Sequence, residues 1–250
     1  NGDTVIYANN DARQVLREIP QGVARFTNEK LSANLFISHK FDARNLVSAG
    51  AILDLNRFEL TNADNIIFSN NLQNFTTSKS LRNNTGETML SQGYAQWKHR
   101  FNDRLTLNAG ISGLFYQLNN TSAVEPRGGL NYALGKNSFS VAYGLHSNLQ
   151  PILVYFYQSP NPDGSYALSN KNLGFTRSHH VVLGYERFLT ESIRLKVETY
   201  YQSIFDAPVE RTPSFYSTLT EGTDFAPIDK GNLVNNGTGT NYGLELTLEK

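Results

Sequence analysis

The sequence predicts an all-β fold, an antiparallel up-and-down meander of about nine strands that is part of a larger transmembrane β-barrel. Three observations lead to this prediction. Apolar and polar side chains alternate along most of the 250 residues, which is the period of a strand with two different faces. Tight and long connections alternate between the strands. Several predicted strands exceed the five or six residues that are usual in globular proteins.

Nine segments are predicted to be strands. In chain order they are 31–41, 46–60, 87–101, 105–118, 123–134, 138–147, 178–189, 192–206 and 241–250. The alternation is clearest in 192–206, where Leu195 and Val197 alternate with Arg194, Lys196 and Glu198. Successive side chains of a strand point to opposite faces, so one face of the predicted sheet is apolar and the other is polar or ionisable.

Short and long connections alternate along the chain. Tight polar turns are predicted at 42–45, 102–104, 135–137 and 190–192, and long connections at 61–86, 148–177 and 207–240, with the short 119–122 as the exception. Every second connection of a meander lies at the same end of the sheet, so one end has turns and the other has loops. This asymmetry is typical of outer-membrane barrels, and a ten-residue strand tilted by about 40° spans their apolar band of about 25 Å.

The whole of 1–250 is predicted to be a single, partial barrel domain. Residues 1–30 are expected to belong to a long extracellular loop. Closed single-chain bacterial barrels have an even number of strands, whereas the predicted count is odd. The sequence is therefore interpreted as a segment of a larger barrel.

Composition excludes several classes of function. Lys and Arg number 22 and Asp and Glu 22, so the formal charge is zero and the basic footprint of a nucleic-acid binder is missing. The sequence has no cysteine, which excludes disulfides, thiolate metal sites and cysteine catalysis. The five histidines have no metal-binding spacing, and no G-x-S-x-G motif is present. No catalytic, metal or cofactor residue is predicted, and the protein is not expected to be an enzyme, although a triad assembled in space stays open.

Two groups of residues are candidates for function. If the apolar face meets lipid, the ionisable face lines the lumen, and its candidate residues are His180, Glu186, Arg194, Lys196, Glu198 and Glu245. The second group is the aromatic run Tyr155, Phe156 and Tyr157, which could form an extracellular ligand surface. The alternative for this run is a strand continuing above the membrane and packing under the loop.

Aromatic residues at the strand ends suggest interfacial girdles. Phe41, Phe101 and Phe188 lie beside the tight turns, and Tyr116, Tyr143, Tyr200 and Tyr201 lie nearer the loops. The alternative explanation is that aromatic residues are good strand formers.

Three segments resemble the TonB-dependent outer-membrane receptors, particularly those of Bacteroidetes type. Segment 122–132 contains Glu125, Pro126 and Arg127, similar to the family's E-P-R strand entry, and 143–151 resembles the strand-to-loop exit that follows it. Segment 233–250 is similar to a third motif, and its matching residues are Asn241, Tyr242, Gly243 and Glu245. The resemblance covers mainly 122–250.

The resemblance implies a 22-stranded barrel, closed by a plug domain, that imports a siderophore, oligosaccharide, peptide or cofactor across the bacterial outer membrane. The implied partners are outer-membrane lipid, a plug domain and the TonB system in the full-length protein, a surface lipoprotein, and a small-molecule or oligomeric nutrient. Neither a plug nor a TonB box is recognisable in the sequence. The ionisable face would then be a ladder of ion pairs against the plug, or would contact substrate directly. A soluble β-sandwich or lectin-like binding module is the alternative.

Overall fold

Nine antiparallel strands form one sheet in which each strand pairs with the next one along the chain. The computed structural model describes residues 22–69, 74–220 and 230–250. The elements are β1 (Gly22–Lys40), β2 (Asn45–Ser69), β3 (Asn74–Arg100), β4 (Leu105–Tyr116), β5 (Thr121–Leu134), β6 (Asn137–Asn148), α1 (Ile152–Tyr155), β7 (Ser159–Pro160), β8 (Tyr166–Ala167), β9 (Thr176–Phe188), β10 (Arg194–Glu210) and β11 (Leu233–Glu249). The sheet order is β1-β2-β3-β4-β5-β6-β9-β10-β11, and β7 and β8 form a separate two-stranded sheet. The predicted meander of nine strands is confirmed.

The strands extend well beyond their predicted ends on the side of the long connections. Residues 61–86 were predicted to be a loop, but β2 continues to Ser69 and β3 begins at Asn74. In the same way, β1 includes 22–30, β10 includes 207–210 and β11 includes 233–240. Residues 1–21 lie outside the described part of the chain.

The strand ends were missed because the strands were predicted from the alternation of apolar and polar residues. In the upper part of the β2–β3 hairpin, Thr61 pairs with Asn83 and Asn62 with Arg82. Polar residues there occupy both faces, so the alternation disappears while the backbone ladder continues.

Short polar side chains close the tight turns at the other end. The carboxylate of Asp42 accepts hydrogen bonds from the N–H groups of Arg44 at 2.6 Å and Asn45 at 2.8 Å. The side-chain amide of Asn45 and these N–H groups hold the pKa of Asp42 below its ordinary value. Asn102 makes the equivalent contacts with the N–H groups of Arg104 and Leu105, both at 2.9 Å. An Asx side chain thereby supplies the bonds that the turning backbone cannot make.

The sheet has one apolar face, which is exposed. Along β1 and the residue after it, this face runs from Leu31 to Phe41 with His39 as its one polar side chain. This is a distance of about 33 Å along the strand and about 25 Å in height at a 40° tilt. Leu35 and Ile37 in β1 are 74% and 68% exposed, and Leu246 in β11 is 71% exposed. A soluble sandwich would bury this face against a second large sheet. The described residues contain no such sheet, which contradicts the sandwich alternative.

The buried apolar core lies at the loop end of the opposite, polar face. The connection between β6 and β9 folds back onto the sheet there and contributes Val154, Tyr155 and Phe175 to the core, which also includes Leu60 and Tyr116 of the strands. Within the described ranges, no helix is long and apolar enough to cross a membrane.

Candidate functional site

The polar face gathers the six ionisable residues that the alternation singled out. They are His180, Glu186, Arg194, Lys196, Glu198 and Glu245. Residues directly opposite on neighbouring strands share a face. Glu186 lies opposite Lys196, and Glu245 lies opposite Glu198. His180 and Arg194 share the face of Glu186 and Lys196, because each is an even number of residues away on the same strand.

Ion pairs connect most of this group across three strands. A guanidinium nitrogen of Arg194 lies 2.6 Å from a carboxylate oxygen of Glu249 on β11 and another lies 3.4 Å from Glu186 on β9. The ammonium of Lys196 lies 2.5 Å from the carboxylate of Glu198 two residues along β10. All these side chains are partly exposed, so solvent screening keeps their contribution to stability small. Their main effect is to hold the long side chains in defined directions on the polar face.

A buried carboxylate lies at the centre of the E-P-R segment. Glu125 is 5% exposed, and its carboxylate accepts hydrogen bonds from the Ser112 hydroxyl at 2.9 Å and the Arg127 guanidinium at 3.1 Å. The second oxygen accepts the backbone N–H of Ser147 at 2.6 Å. Arg127 also donates to the Ser112 hydroxyl at 2.8 Å. Glu125 therefore links β4, β5 and β6.

This contact lies where β5 and β6 separate. Their ladder ends at the pair Arg127 and Gly144, beyond which β6 continues to pair with β9. Pro126, the next residue on β5, has no N–H to donate, and proline occurs in sheets where pairing ends. Beyond this point the Glu125 carboxylate accepts the N–H of Ser147, in place of a backbone carbonyl of β5. The sequence identified this motif by resemblance, whereas Ser112 and Ser147 could only be found once the register was known.

The polar face encloses a concavity of about 630 Å³. Its lining comes from seven strands, β2 to β6 with β9 and β10, so the sheet curves around its polar face. Charged and imidazole groups line its sides, namely Lys98, Arg127, His146, His180 and Glu198. Small residues of three adjacent strands form its floor, namely Gly110, Gly129, Ser140, Ala142 and Gly144. The surface can therefore accept a polar molecule or a packed polypeptide.

Two histidines meet in this concavity without forming a metal centre. The rings of His146 and His180 lie 6.1 Å apart, centroid to centroid, and His180 meets the ring of Tyr200 edge-on at 6.0 Å. Among the described residues no group of three or more His, Cys, Asp or Glu is placed to hold a metal ion.

Tyr155, Phe156 and Tyr157 are buried, which contradicts their predicted role as an exposed ligand surface. Their exposed fractions are 0%, 7% and 7%. The alternative prediction, a strand that continues above the membrane and packs under the loop, is correct about the packing. It is wrong about the strand, because the segment begins with the short helix α1. The ring of Phe156 packs on Phe58 at 4.6 Å. Burial raises the pKa of the Tyr155 hydroxyl, which accepts the N–H of Gln150.

Buried amide side chains fix the connection that carries this aromatic run. Asn170 is fully buried, and its amide donates to the carbonyls of Val154 at 3.1 Å and Lys230 at 2.7 Å. Its carbonyl oxygen accepts the N–H of Leu233 at 3.1 Å. The connection between β6 and β9 is thus bonded directly to the start of β11. Nothing in the sequence pattern distinguishes Asn170, since an Asn in a loop is ordinary.

The third family-like segment alternates between the two faces. Asn241, Gly243 and Glu245 lie on the polar face, while Tyr242 lies on the apolar face and is 79% exposed. The amide of Asn241 donates to Gln202 at 3.1 Å. Gly243 lies under the ring of Tyr200, and a Cβ at this position would come within 2.6 Å of that ring.

The aromatic residues of the predicted girdles lie on both faces of the sheet. Phe41, Phe101, Tyr143 and Tyr201 are exposed residues of the apolar face. Tyr116 is buried on the polar face, and Tyr200 covers Gly243 on the same face. Phe188 also lies on the polar face, because it is directly opposite Arg194. Trp97 and His99 are additional apolar-face residues at the turn end, and both bond to the side-chain oxygen of Asn45.

Comparison with known proteins gives one family and a set of similar folds. The family model described as TonB dependent receptor-like, beta-barrel, matches residues 2–249. The FrpB iron transporter of Neisseria meningitidis is 14% identical, with a TM-score of 0.58 over 90% of this chain and 34% of that one. The copper transporter OprC is 10% identical, with a TM-score of 0.59 over 93% and 36% of the two chains. The RagAB peptide transporter is 12% identical, with a TM-score of 0.57 over 91% and 28%.

These similarities are in the fold, because the sequence identities are low. The chain spans about a third of the length of the solved proteins that it matches. No curated protein matched the sequence significantly.

Proposed function

Because this chain belongs to the TonB-dependent receptor-like β-barrel family, we propose that it forms nine consecutive wall strands of a receptor that imports a nutrient. The protein resides in the outer membrane. The proposal makes it a transport component and not an enzyme. Its apolar face contacts lipid, its polar face lines the lumen, its tight turns lie on the periplasmic side and its long connections lie outside the cell.

The observation that carries this proposal is the separation of an apolar face from a polar face within one sheet of nine strands. An apolar face exposed to solvent is unfavourable in water, but in a bilayer it is the required surface, since an Arg or Lys there costs about 2–4 kcal/mol near the midplane. The outward ion pair of Arg57 and Glu87 lies at the loop end of the apolar stretch, where the interface is expected. The polar face provides hydrogen-bonding and charged groups of both signs for a polar ligand.

The lining of the concavity favours a polar ligand over an apolar one. Side chains such as Gln96, Asn108 and Asn131 offer both donors and acceptors, and they accompany the charged groups of the sides. The solved proteins with this fold are described as transporters of iron, copper and peptide. We include these three classes, with oligosaccharides and cofactors, among the candidate ligands. A plug domain, the TonB system and a surface lipoprotein complete the proposed assembly.

The test compares a strain that lacks the full-length gene with the same strain complemented by it. The measured quantities are uptake of radiolabelled ferric citrate, cupric ion, a labelled peptide mixture, a labelled maltooligosaccharide and labelled cobalamin, each with and without a protonophore. We expect uptake of at least one probe to fall to background in the deletion strain, and the restored uptake to be abolished by the protonophore. Unchanged uptake of all five probes, with the protein present in the outer-membrane fraction of the complemented strain, would contradict the proposal.

A further inference from the structure

The apolar face carries a polar cluster at its turn end, on β2 and β3. The side-chain oxygen of Asn45 accepts the indole N–H of Trp97 at 3.0 Å and lies 2.7 Å from Nδ1 of His99. The amide nitrogen of Asn45 donates to the carboxylate of Asp42 at 2.8 Å. Asn45 is directly opposite His99, and Trp97 is two residues from His99 on β3, so these three side chains share the apolar face. Hydrogen bonds thus hold polar groups in place on a face that is otherwise apolar.

These contacts fix the proton on one nitrogen of His99. An indole N–H only donates hydrogen bonds, so the Asn45 atom that it meets is the carbonyl oxygen. An oxygen that accepts requires a proton on the facing Nδ1 of His99. In the neutral imidazole the other nitrogen, Nε2, is then an acceptor, and it has no hydrogen-bond partner among the described residues. His99 therefore offers an acceptor of fixed direction at this end of the apolar face.

Aromatic rings and a carboxylate make the surroundings of this acceptor favourable for a cation. The ring of Phe101 meets His99 edge-on at 4.6 Å, and the ring of Trp97 lies 5.1 Å from it. Both of these aromatic side chains are exposed, and the ring faces of Trp and Phe attract ammonium groups. The carboxylate of Asp42 lies close enough to His99 for the two groups to interact electrostatically.

The position of the cluster indicates a membrane lipid as its partner. The cluster lies where the apolar band ends at the tight turns, which is the depth of the lipid headgroups. Lys98 and Arg100, the strand neighbours of His99, belong to the polar face. An anionic headgroup would meet the imidazole acceptor and the carboxylate unfavourably. A headgroup with a primary ammonium supplies both the positive charge and the N–H donors that match them.

We propose that His99, Trp97 and Phe101 bind the primary ammonium headgroup of phosphatidylethanolamine in the periplasmic leaflet. The ammonium donates to Nε2 of His99 and lies against the two aromatic rings. Asn45 is a positioning residue, since it holds the imidazole and the indole. This inference rests on the proposed function, because it takes the apolar face to meet lipid and the tight turns to be periplasmic.

The test uses the full-length protein in vesicles of equal parts phosphatidylethanolamine, phosphatidylcholine and phosphatidylglycerol. The photo-crosslinking residue p-benzoylphenylalanine replaces Leu107, which lies directly opposite His99. In a second protein it replaces Leu248, an exposed residue of the same face at the turn end of β11. Mass spectrometry then identifies the crosslinked lipids at each position.

Phosphatidylcholine is the sharpest comparison, because its quaternary ammonium has the same charge but no N–H to donate. We expect the ratio of phosphatidylethanolamine to phosphatidylcholine at position 107 to exceed the ratio at position 248 by about fivefold, the factor that one net hydrogen bond of ordinary strength gives. Position 248 is measured in every variant, since lipid crosslinks there require an inserted barrel.

Matched variants separate the hydrogen bond from a general preference of the surface. His99→Phe removes the acceptor but keeps a ring, and it should lower the ratio at position 107 to that at position 248. His179→Phe changes an exposed histidine at the other end of the same face and should leave the ratio at position 107 unchanged. Enrichment of phosphatidylglycerol at position 107, equal ratios at the two positions, or a ratio that survives His99→Phe would overturn this inference alone. Absence of lipid crosslinks at both positions would overturn the proposed function as well.

Discussion

At the scale of the residue, the position of Glu125 most needs an explanation, because its charged side chain is buried against the face of a sheet. Its carboxylate accepts hydrogen bonds from Ser112, Arg127 and the N–H of Ser147. Such bonds are stronger than bonds between neutral groups. Resemblance singled out Glu125, Pro126 and Arg127 in the sequence, but their common purpose depends on the point where two strands separate. That point is set by pairing across the sheet and is invisible in a single sequence.

We predict that Glu125→Gln lowers the stability of the full-length barrel. The amide that replaces the carboxylate weakens the bonds from Arg127 and Ser147, and an imperfectly satisfied buried group costs about 1–3 kcal/mol. The measurement is the midpoint of urea unfolding in lipid vesicles. Glu87→Gln is the control, since it alters an exposed ion pair with Arg57 and should change stability by less than about 1 kcal/mol. Equal effects of the two changes would contradict this role for Glu125.

Gly50 shows how an aromatic side chain can lie flat on the wall. Tyr94 is directly opposite Gly50 and covers it. A Cβ at Gly50 would lie 2.5 Å from the Tyr94 hydroxyl oxygen and 2.6 Å from the carbonyl oxygen of Leu35. Since a backbone atom is involved, rotation of the tyrosine alone cannot make room.

We predict that Gly50→Ala destabilises the barrel by about 1–3 kcal/mol through overpacking. Gly93→Ala is the matched control, because Gly93 lies across from Ala51 in the same pair of strands and a Cβ there meets nothing within 4 Å. The unfolding midpoint should fall for the first variant and stay unchanged for the second. A loss of stability in both variants would show that the requirement for glycine is not local crowding.

At the scale of the element, the strands within the apolar band were predictable and the connections were not. The band requires one face of each strand to be apolar and the other to be polar. The sequence therefore predicts β4, in which Leu105, Leu107 and Ile111 share one face. The connection between β6 and β9 has no such repeating contrast. Its order depends on individual long-range contacts, such as those of Asn170 with Val154 and Leu233. The aromatic run could therefore be seen in the sequence, but its burial could not.

We predict that this connection is a fixed element and that Asn170→Ala releases it. The change removes three buried hydrogen bonds, and local opening should increase about tenfold. The measurement is the rate at which protease added to intact cells cleaves the full-length protein between 149 and 175. Asn161→Ala is the control, because its amide bonds only to Ser165 within an exposed turn. A connection cleaved rapidly in the unaltered protein would contradict the prediction.

At the scale of the whole molecule, two faces of opposite character account for both the composition and the function. An apolar residue is needed only at every second strand position, which explains a hydrophobic content of 39% in a membrane protein. The same separation assigns Glu186, Arg194, Lys196, Glu198 and Glu245 to one surface, where most of them form ion pairs. The meander, the faces and the six ionisable residues of β9, β10 and β11 follow from the alternation. The Glu125 contact does not, because it depends on which side chains find partners across strands.

Site-directed spin labelling of β10 tests the central claim most directly. The 250 residues have no cysteine, so single cysteines from Leu195 to Gln202 introduce the only thiols of this segment. Each carries a label in the full-length protein in lipid vesicles, with any cysteine elsewhere in that protein replaced by serine. Collision rates are measured with oxygen, which partitions into lipid, and with a water-soluble nickel chelate. The account predicts an oxygen-to-nickel ratio that alternates with a period of two and is high at Leu195, Val197, Thr199 and Tyr201. A ratio without alternation, or one that is high at Lys196 and Glu198 instead, would contradict it.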